Sequence, residues 1–150
     1  MSMLNDSGPS LQLNNVTVNV SQHVRVLGVH FSSDLSLDKH VSSVSAICFH
    51  HLRQLTRIRR SLDADSGSTL VHAFVTSRVD YCIAILAGAP KTTTDRLQRV
   101  LNAAARDVSD IKKFDQGLSR LFHQELHWLD IPERVKYKLH RHAYPPVSAR

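Results

Sequence analysis

The spacing of hydrophobic and polar positions changes period near the start of this chain. Val16, Val18 and Val20 alternate with Thr17 and Asn19, the two-residue period of a strand with one apolar face. A second run follows, Val24-Arg25-Val26-Leu27-Gly28-Val29-His30-Phe31. Ser21-Gln22-His23 between the runs is placed to turn an antiparallel hairpin. Gly28 inside the second run points to a bulge or a close backbone approach.

After Ser36 the period becomes helical. Leu37, Val41, Val44, Cys48, Leu52, Leu55, Ile58 and Leu62 recur every three or four residues as one stripe, and Asp34 to Ser36 supplies capping groups ahead of it. A second helix is predicted from about Asp65 to Leu86. Leu70, Phe74, Ser77, Tyr81 and Ile85 line one side of it and Val71, Val75 and Cys82 the next, which reads as a buried central helix. Gly88 and Pro90 stop it. A third runs from about Thr94 to Val108, with Leu97, Leu101, Ala104 and Val108 inward and Ala103-Ala104-Ala105 permitting close helix approach. Two shorter segments, near Leu118 to Leu126 and Glu133 to His142, are separated by Pro132, and Pro145-Pro146 ends regular structure. The expected fold is mainly α: an N-terminal β-hairpin followed by a helical bundle of about three main helices plus two short ones. Its parts are a flexible lead-in (1–15), the hairpin (16–33), the bundle (34–110), a short helical extension (111–142) and a disordered tail (143–150).

Composition narrows the class. With 150 residues, 42% hydrophobic and 21% charged, the chain has room for one domain with a real core and is too apolar for a disordered segment. No apolar run is long enough to span a membrane, and the polar start (Met1 to Ser10) lacks a signal-peptide pattern. Cys48 and Cys82 lie in apolar helical surroundings and read as reduced core thiols of an intracellular protein, with nucleus and cytoplasm not distinguished. The formal charge is +6, distributed unevenly. Residues 1–60 carry six Lys/Arg against three Asp/Glu and residues 111–150 eight against four, whereas residues 61–90 carry one against three.

Few residues have the spacing that catalysis or metal binding requires. The only Asp-x-Asp, Asp63-Ala64-Asp65, opens a helix, where carboxylates complement the helix dipole. Asp80 sits in an apolar helix and needs a tertiary partner, since Arg78 faces elsewhere. Among ten histidines, His123 and His127 flank Glu125 without the His-Glu-x-x-His order of a zinc protease, and His50-His51 and His140/His142 complete no site. No metal or cofactor is expected. Basic stripes remain. Lys39, Arg53, Arg57 and Arg60 fall along one face of the first helix with Arg59 beside it. Arg96, Arg99 and Arg106 share a face of the third, and Lys112-Lys113 follow. Such stripes are either solvated surface or contacts to a nucleic-acid backbone, and the scarcity of aromatics beside them argues against base stacking.

Five ordered blocks carry a resemblance. They are Val26-Leu27-Gly28-Val29; Leu52-Arg53 to Arg57-Ile58-Arg59-Arg60; Leu70-Val71-His72-Ala73-Phe74-Val75-Thr76-Ser77-Arg78-Val79-Asp80-Tyr81-Cys82; Leu97-Gln98-Arg99-Val100 with Asn102-Ala103-Ala104-Ala105-Arg106; and Glu125-Leu126-His127-Trp128-Leu129. Together, over about Val16 to Lys138, they resemble the C-terminal part of reverse transcriptases from non-long-terminal-repeat retrotransposons of the chicken-repeat and jockey-like type. The resemblance implies that the hairpin is the end of the palm, with Leu27 and Gly28 in a primer-grip-like turn, and that the helices form the thumb and its extension. It also implies an RNA/DNA template–primer as partner. The family's aromatic-Ala-Asp-Asp turn and its magnesium ions belong upstream of the hairpin, so the chain is expected to be non-catalytic by itself. A surface that the palm covers in the family would then be open to self-association. The sequence departs from the family at Gln116-Gly117-Leu118-Ser119, at Asp130 and from His140 to Pro146.

Overall fold

The computed structural model describes residues 10–81, 83–109, 122, 123 and 126–143. It is mainly helical, with two small hairpins at the N-terminal side. β1 (Leu11–Leu13) pairs antiparallel with β2 (Val16–Val18), Leu11 opposite Val18 and Leu13 opposite Val16, so four apolar side chains share one face. Asn14 and Asn15 make the turn at φ 43° and 65°, a left-handed conformation that asparagine tolerates well. β3 (His23–Val26) pairs with β4 (Val29–Ser32), and Leu27-Gly28 turns between them at φ 48° and 83°.

This corrects the single expected hairpin. The run from Val24 to Phe31 doubles back on itself, Gly28 is a turn residue and not a bulge, and Ser21-Gln22-His23 leads into β3 instead of closing the first pair. β1 lies inside the stretch read as a lead-in. The physical reason is that two-residue turns with both central φ positive match the twist of paired strands, and each such turn here falls inside an apolar run.

α1 (Asp38–Ile58) buries Val41, Cys48, Leu52 and Leu55 as its stripe requires, and a 3₁₀ turn, Arg59–Ser61, extends it. Its start is ordered from ahead. The Ser36 amide donates to Asp34 Oδ1 (2.9 Å) and the Asp38 amide to Ser36 Oγ (3.3 Å). α2 (Ala64–Val71) continues through a π-helical turn, His72–Thr76, into α3 (Ser77–Asp80). The expected single helix to Leu86 breaks at Tyr81, which is extended (φ −64°, ψ 120°), and a 3₁₀ turn, Ile83–Leu86, follows.

The buried line along this second segment is Gly67, Val71, Val75, Val79 and Ile83, every fourth residue. A regular helix turns in 3.6 residues and would rotate such a line steadily off the core. The wider π turn takes up the difference and keeps the valines in register. Phe74 and Tyr81, expected on the inward side, are instead 44% and 54% exposed.

α4 (Lys91–Ser109) starts earlier than expected, with Pro90 O accepting from the Thr93 and Thr94 amides. α5 (Ile131–Ala143) carries Pro132 in its first turn, where proline costs no intrahelical bond, so Pro132 lies within the helix and not before it. Of the segment expected near 118–126, only Phe122, His123 and Leu126 are among the described residues. Cys82, Lys112, Lys113 and most of the tail also lie outside them.

α1 and α4 run parallel, side by side. At their starts the Thr93 hydroxyl donates to Asp38 Oδ1 (2.8 Å), and at their ends the Thr56 hydroxyl donates to Asp107 Oδ1 (2.8 Å). The α2–α3 segment returns between them, its valines meeting Cys48 and Leu52 from α1 and Leu97, Val100, Leu101, Ala104 and Ala105 from α4 in one core. Phe122, Ile131 and Val135 complete that core. α5 is latched at two points. Gln98 bonds the Ile131 amide and the Asp130 carboxylate (2.9 Å each), and Arg134 Nη1 lies 2.8 and 2.9 Å from the two Asp80 oxygens. Arg134 is the tertiary partner that the sequence demanded for Asp80.

Candidate nucleic-acid interface

The apolar stripe of α1 faces inward, so Lys39, Arg53 and Arg57 stand on its exposed side, with Arg60 exposed on the turn beyond. The seam with α4 fixes how this row relates to the second one. Arg96 Nη1 donates to Ser42 Oγ (3.0 Å) and lies 3.8 Å from Asp38 Oδ1. Arg99 and Arg106 follow Arg96 on the same flank of α4, Arg99 exposed and Arg106 half-buried. Arg53 follows Ser42 by three helical turns. The outer faces of two parallel helices therefore adjoin, and the two rows of arginine lie on one side of the molecule. Among the described residues, Lys39, Arg53, Arg57, Arg60, Arg99 and Arg106 have no carboxylate within ion-pair distance.

His50 joins this face. It is exposed and lies three residues before Arg53 and seven before Arg57, on the same helical row. Reading it as half of a His50-His51 pair hid that position, although its helical spacing pointed there. His51 instead turns to stack on Phe74, ring centroids 5.4 Å apart.

Two arginines of the expected set have other work. Arg96 is partly engaged by Asp38 and Ser42. Arg59 is half-buried and fully engaged by backbone carbonyls. Its Nε donates to Asp107 O (3.2 Å), Nη2 to Val108 O (3.1 Å), and Nη1 to Leu62 O (3.4 Å) and Asp63 O (3.5 Å). It thereby satisfies carbonyls at the C-terminal end of α4, which have no intrahelical partner, and pins the α1–α2 connection to them. Gly67 leaves the space, since a Cβ there would sit 3.1 Å from Arg59 Nη1. Arg59 is a structural clamp. Helical spacing alone could not separate it from Arg57 and Arg60.

The Leu27-Gly28 turn is fixed by a residue whose spacing had placed it on the core stripe. The Tyr81 hydroxyl donates to Leu27 O (2.8 Å), tying the β3–β4 hairpin to the point where the second helical segment breaks. Asp63 is the N-cap residue of α2 and Asp65 lies in its first turn, both placed to complement the helix dipole, but the Asp63 side chain makes no capping hydrogen bond. The Asp63 carboxyl is held below its ordinary value, chiefly by the Ser66 hydroxyl. No three His, Cys, Asp or Glu side chains gather to hold a metal ion among the described residues, and no described helix is long and apolar enough to cross a membrane.

Comparison of the chain with family models, curated proteins and solved structures finds no match.

Proposed function

We propose that the chain is a thumb-like, non-catalytic portion of a retrotransposon reverse transcriptase, an RNA-directed DNA polymerase, and that it holds the backbone of an RNA/DNA template–primer. One observation carries the contact itself: the unpaired cations of α1 and α4 form one broad face across a parallel helix pair. Arginines spread over such a surface suit a ladder of phosphates, and they position a duplex without reading its sequence. The identity of the parent enzyme rests on the five ordered sequence blocks. In this reading Leu27 and Gly28 present a primer-grip-like turn, braced by Tyr81. Magnesium and the polymerising carboxylates belong to other residues of the parent enzyme.

The test is the salt dependence of binding to an RNA–DNA hybrid. Affinity should fall linearly with the logarithm of salt concentration, and Arg53→Ala/Arg57→Ala/Arg60→Ala should flatten that slope by about three, roughly 0.9 for each phosphate no longer neutralised. An unchanged slope in the triple variant would overturn the assignment.

A second reading is favoured by the hairpins. Leu11, Leu13, Val16 and Val18 are 52–63% exposed on one face of β1–β2, a surface that suits self-association or a protein partner. That reading expects concentration-dependent association that is insensitive to salt, survives the arginine changes and fails on Val16→Ser/Val18→Ser.

A further inference from the structure

A second group of aromatic residues lies away from the arginine face. Where the end of α3 meets the 127–129 segment and α5 there is a cavity of about 260 Å³, bordered by Asp80, His127, Trp128, Arg134, Tyr137 and Lys138. We propose that this cavity binds a single unpaired nucleobase together with its phosphate. It draws on none of the residues of the arginine face, so it stands or falls separately from that assignment.

Construction of the cavity limits what it can hold. Its floor is the Asp80–Arg134 pair, in which the Arg134 side chain is only 11% exposed and that of Asp80 28%. Arg134 Nε donates to Leu129 O (2.7 Å) and Nη1 spans both Asp80 oxygens, so the guanidinium is locked. Its Nη2 has no protein acceptor among the described residues, and the two Asp80 oxygens share one donor nitrogen, which leaves the carboxylate acceptor capacity to spare. A fixed donor beside a fixed acceptor suits the polar edge of a nucleobase, which offers the same two functions side by side.

The walls supply the rest. Trp128 is held edge-on against Phe122 (centroids 5.6 Å, 89°) and by its amide donating to Phe122 O (2.8 Å), while Tyr137 is 55% exposed at the rim. Aromatic faces of this kind receive bases with little regard to sequence. Lys138 at the mouth, with Arg134 below, outweighs the one carboxylate, so a cationic ligand is disfavoured and an anionic phosphate is favoured. The volume lies under the ~300 Å³ where pockets for drug-sized ligands begin, a scale suited to one base. His127, at φ 52°, turns the chain into the segment that carries Trp128.

Trp128 is the only tryptophan in the chain, so its fluorescence reports on the cavity directly. The full chain is titrated at fixed low salt with a thymidine tetranucleotide, with nucleoside monophosphates and with the corresponding nucleosides. Saturable quenching of Trp128 by the phosphate-bearing probes is expected. Tyr137→Ala and Lys138→Ala should each weaken it about tenfold, the scale of one stacking or phosphate interaction. Tyr137→Phe should retain binding and so separates removal of the ring from failure to fold. Arg53→Ala/Arg57→Ala/Arg60→Ala should leave the quenching constant within about twofold, which distinguishes this site from the arginine face. Tighter binding of the tetranucleotide than of monophosphates assigns the site to single-stranded nucleic acid, and equal binding assigns it to free nucleotide. Absence of quenching, equal quenching by bare nucleosides, or quenching unchanged by Tyr137→Ala would each overturn the proposal.

Discussion

Valine behaves in opposite ways in the two halves of this molecule. In the helical body Val41, Val71, Val75, Val79 and Val100 are at most 2% exposed, whereas in the hairpins Val16, Val18, Val24 and Val26 are 48–62% exposed. The residue type and the local pattern are equally apolar in both. What differs is the number of layers. The body closes four helical segments around one core, while β1–β2 and β3–β4 are separate two-stranded sheets, each with at least one face uncovered by the described residues. Two strands alone bury too little to be stable in water, so the hairpins depend on what they are tied to. β3–β4 is tied at Val29, which is 3% exposed, and at Tyr81. An apolar pattern therefore reports that a surface seeks cover, and only topology reports whether this chain provides it.

The sharpest way to break the body without touching the hairpins is Arg59→Ala. Removing its bonds to four carbonyls should lower stability in urea by about 3 kcal/mol, and Arg59→Lys should not restore it, since one ammonium cannot reach acceptors on both sides. Arg60→Ala next door should stay within ~0.5 kcal/mol, as an exposed side chain without a hydrogen-bond or ion-pair partner among the described residues. The valine contrast itself predicts about 2 kcal/mol for Val75→Ala and less than ~0.5 kcal/mol for Val18→Ala. Cys48 offers a residue-specific readout of the first of these. Burial pushes its thiol up to about 11, and its alkylation, followed by peptide mapping at mildly alkaline pH, should accelerate in Val75→Ala and be unaffected in Val18→Ala.

Smaller effects should be confined to the hairpin side. Gly28→Ala forces a side chain into φ 83° and should cost about 1 kcal/mol, seen as faster amide exchange in β3 and β4 alone. Tyr81→Phe should open the same strands by up to ~1 kcal/mol through removal of one hydrogen bond. The least of these responses is to pH. Burial, then the nearby His30, holds His40 below its ordinary value of 6.5. The unfolded chain therefore takes up the proton first on acidification, so stability is full above pH 6.5 and declines as pH falls below it. Among the described residues, His30 on β4, Arg78 on α3 and Tyr81 beyond it are the charged or titratable groups facing His40 across its packing neighbours. His40→Gln should flatten this part of the stability profile, and a decline of equal slope in that variant would refute the assignment.

Much of the body was legible in the sequence because α1 and α4 keep a regular helical period over five turns or more. The need of Asp80 for a partner was legible too, from a carboxylate placed in an apolar helix. Its partner was not, because Arg134 lies 54 residues away and nothing local selects it from the other cations. The inward face of the middle segment was misplaced at Phe74 and Tyr81, since the π turn shifts the helical phase and leaves no mark in composition. The hairpins were misregistered because Leu27 is an unfavourable residue for a left-handed turn, so Ser21-Gln22-His23 looked the better turn. Asn14-Asn15 was a readable turn signal that the alternation starting at Val16 masked. Of the arginine face, the rows were visible and their adjacency was not, because it depends on α1 and α4 being parallel.

That parallel pairing also governs how the chain must fold. The contacts joining α1 to α4 span 48 to 55 residues, so each closes a long loop, and the valine segment between them has only half its core until α4 exists. Loop closure of this length must be met before any of those contacts reward it, which places the docking of α4 late and makes it the slow step. On a ribosome, the stretch through Pro90 would emerge with the inner side of α1 covered by the valine segment alone. The core can be completed only once the stretch through Val135 of α5 has been released.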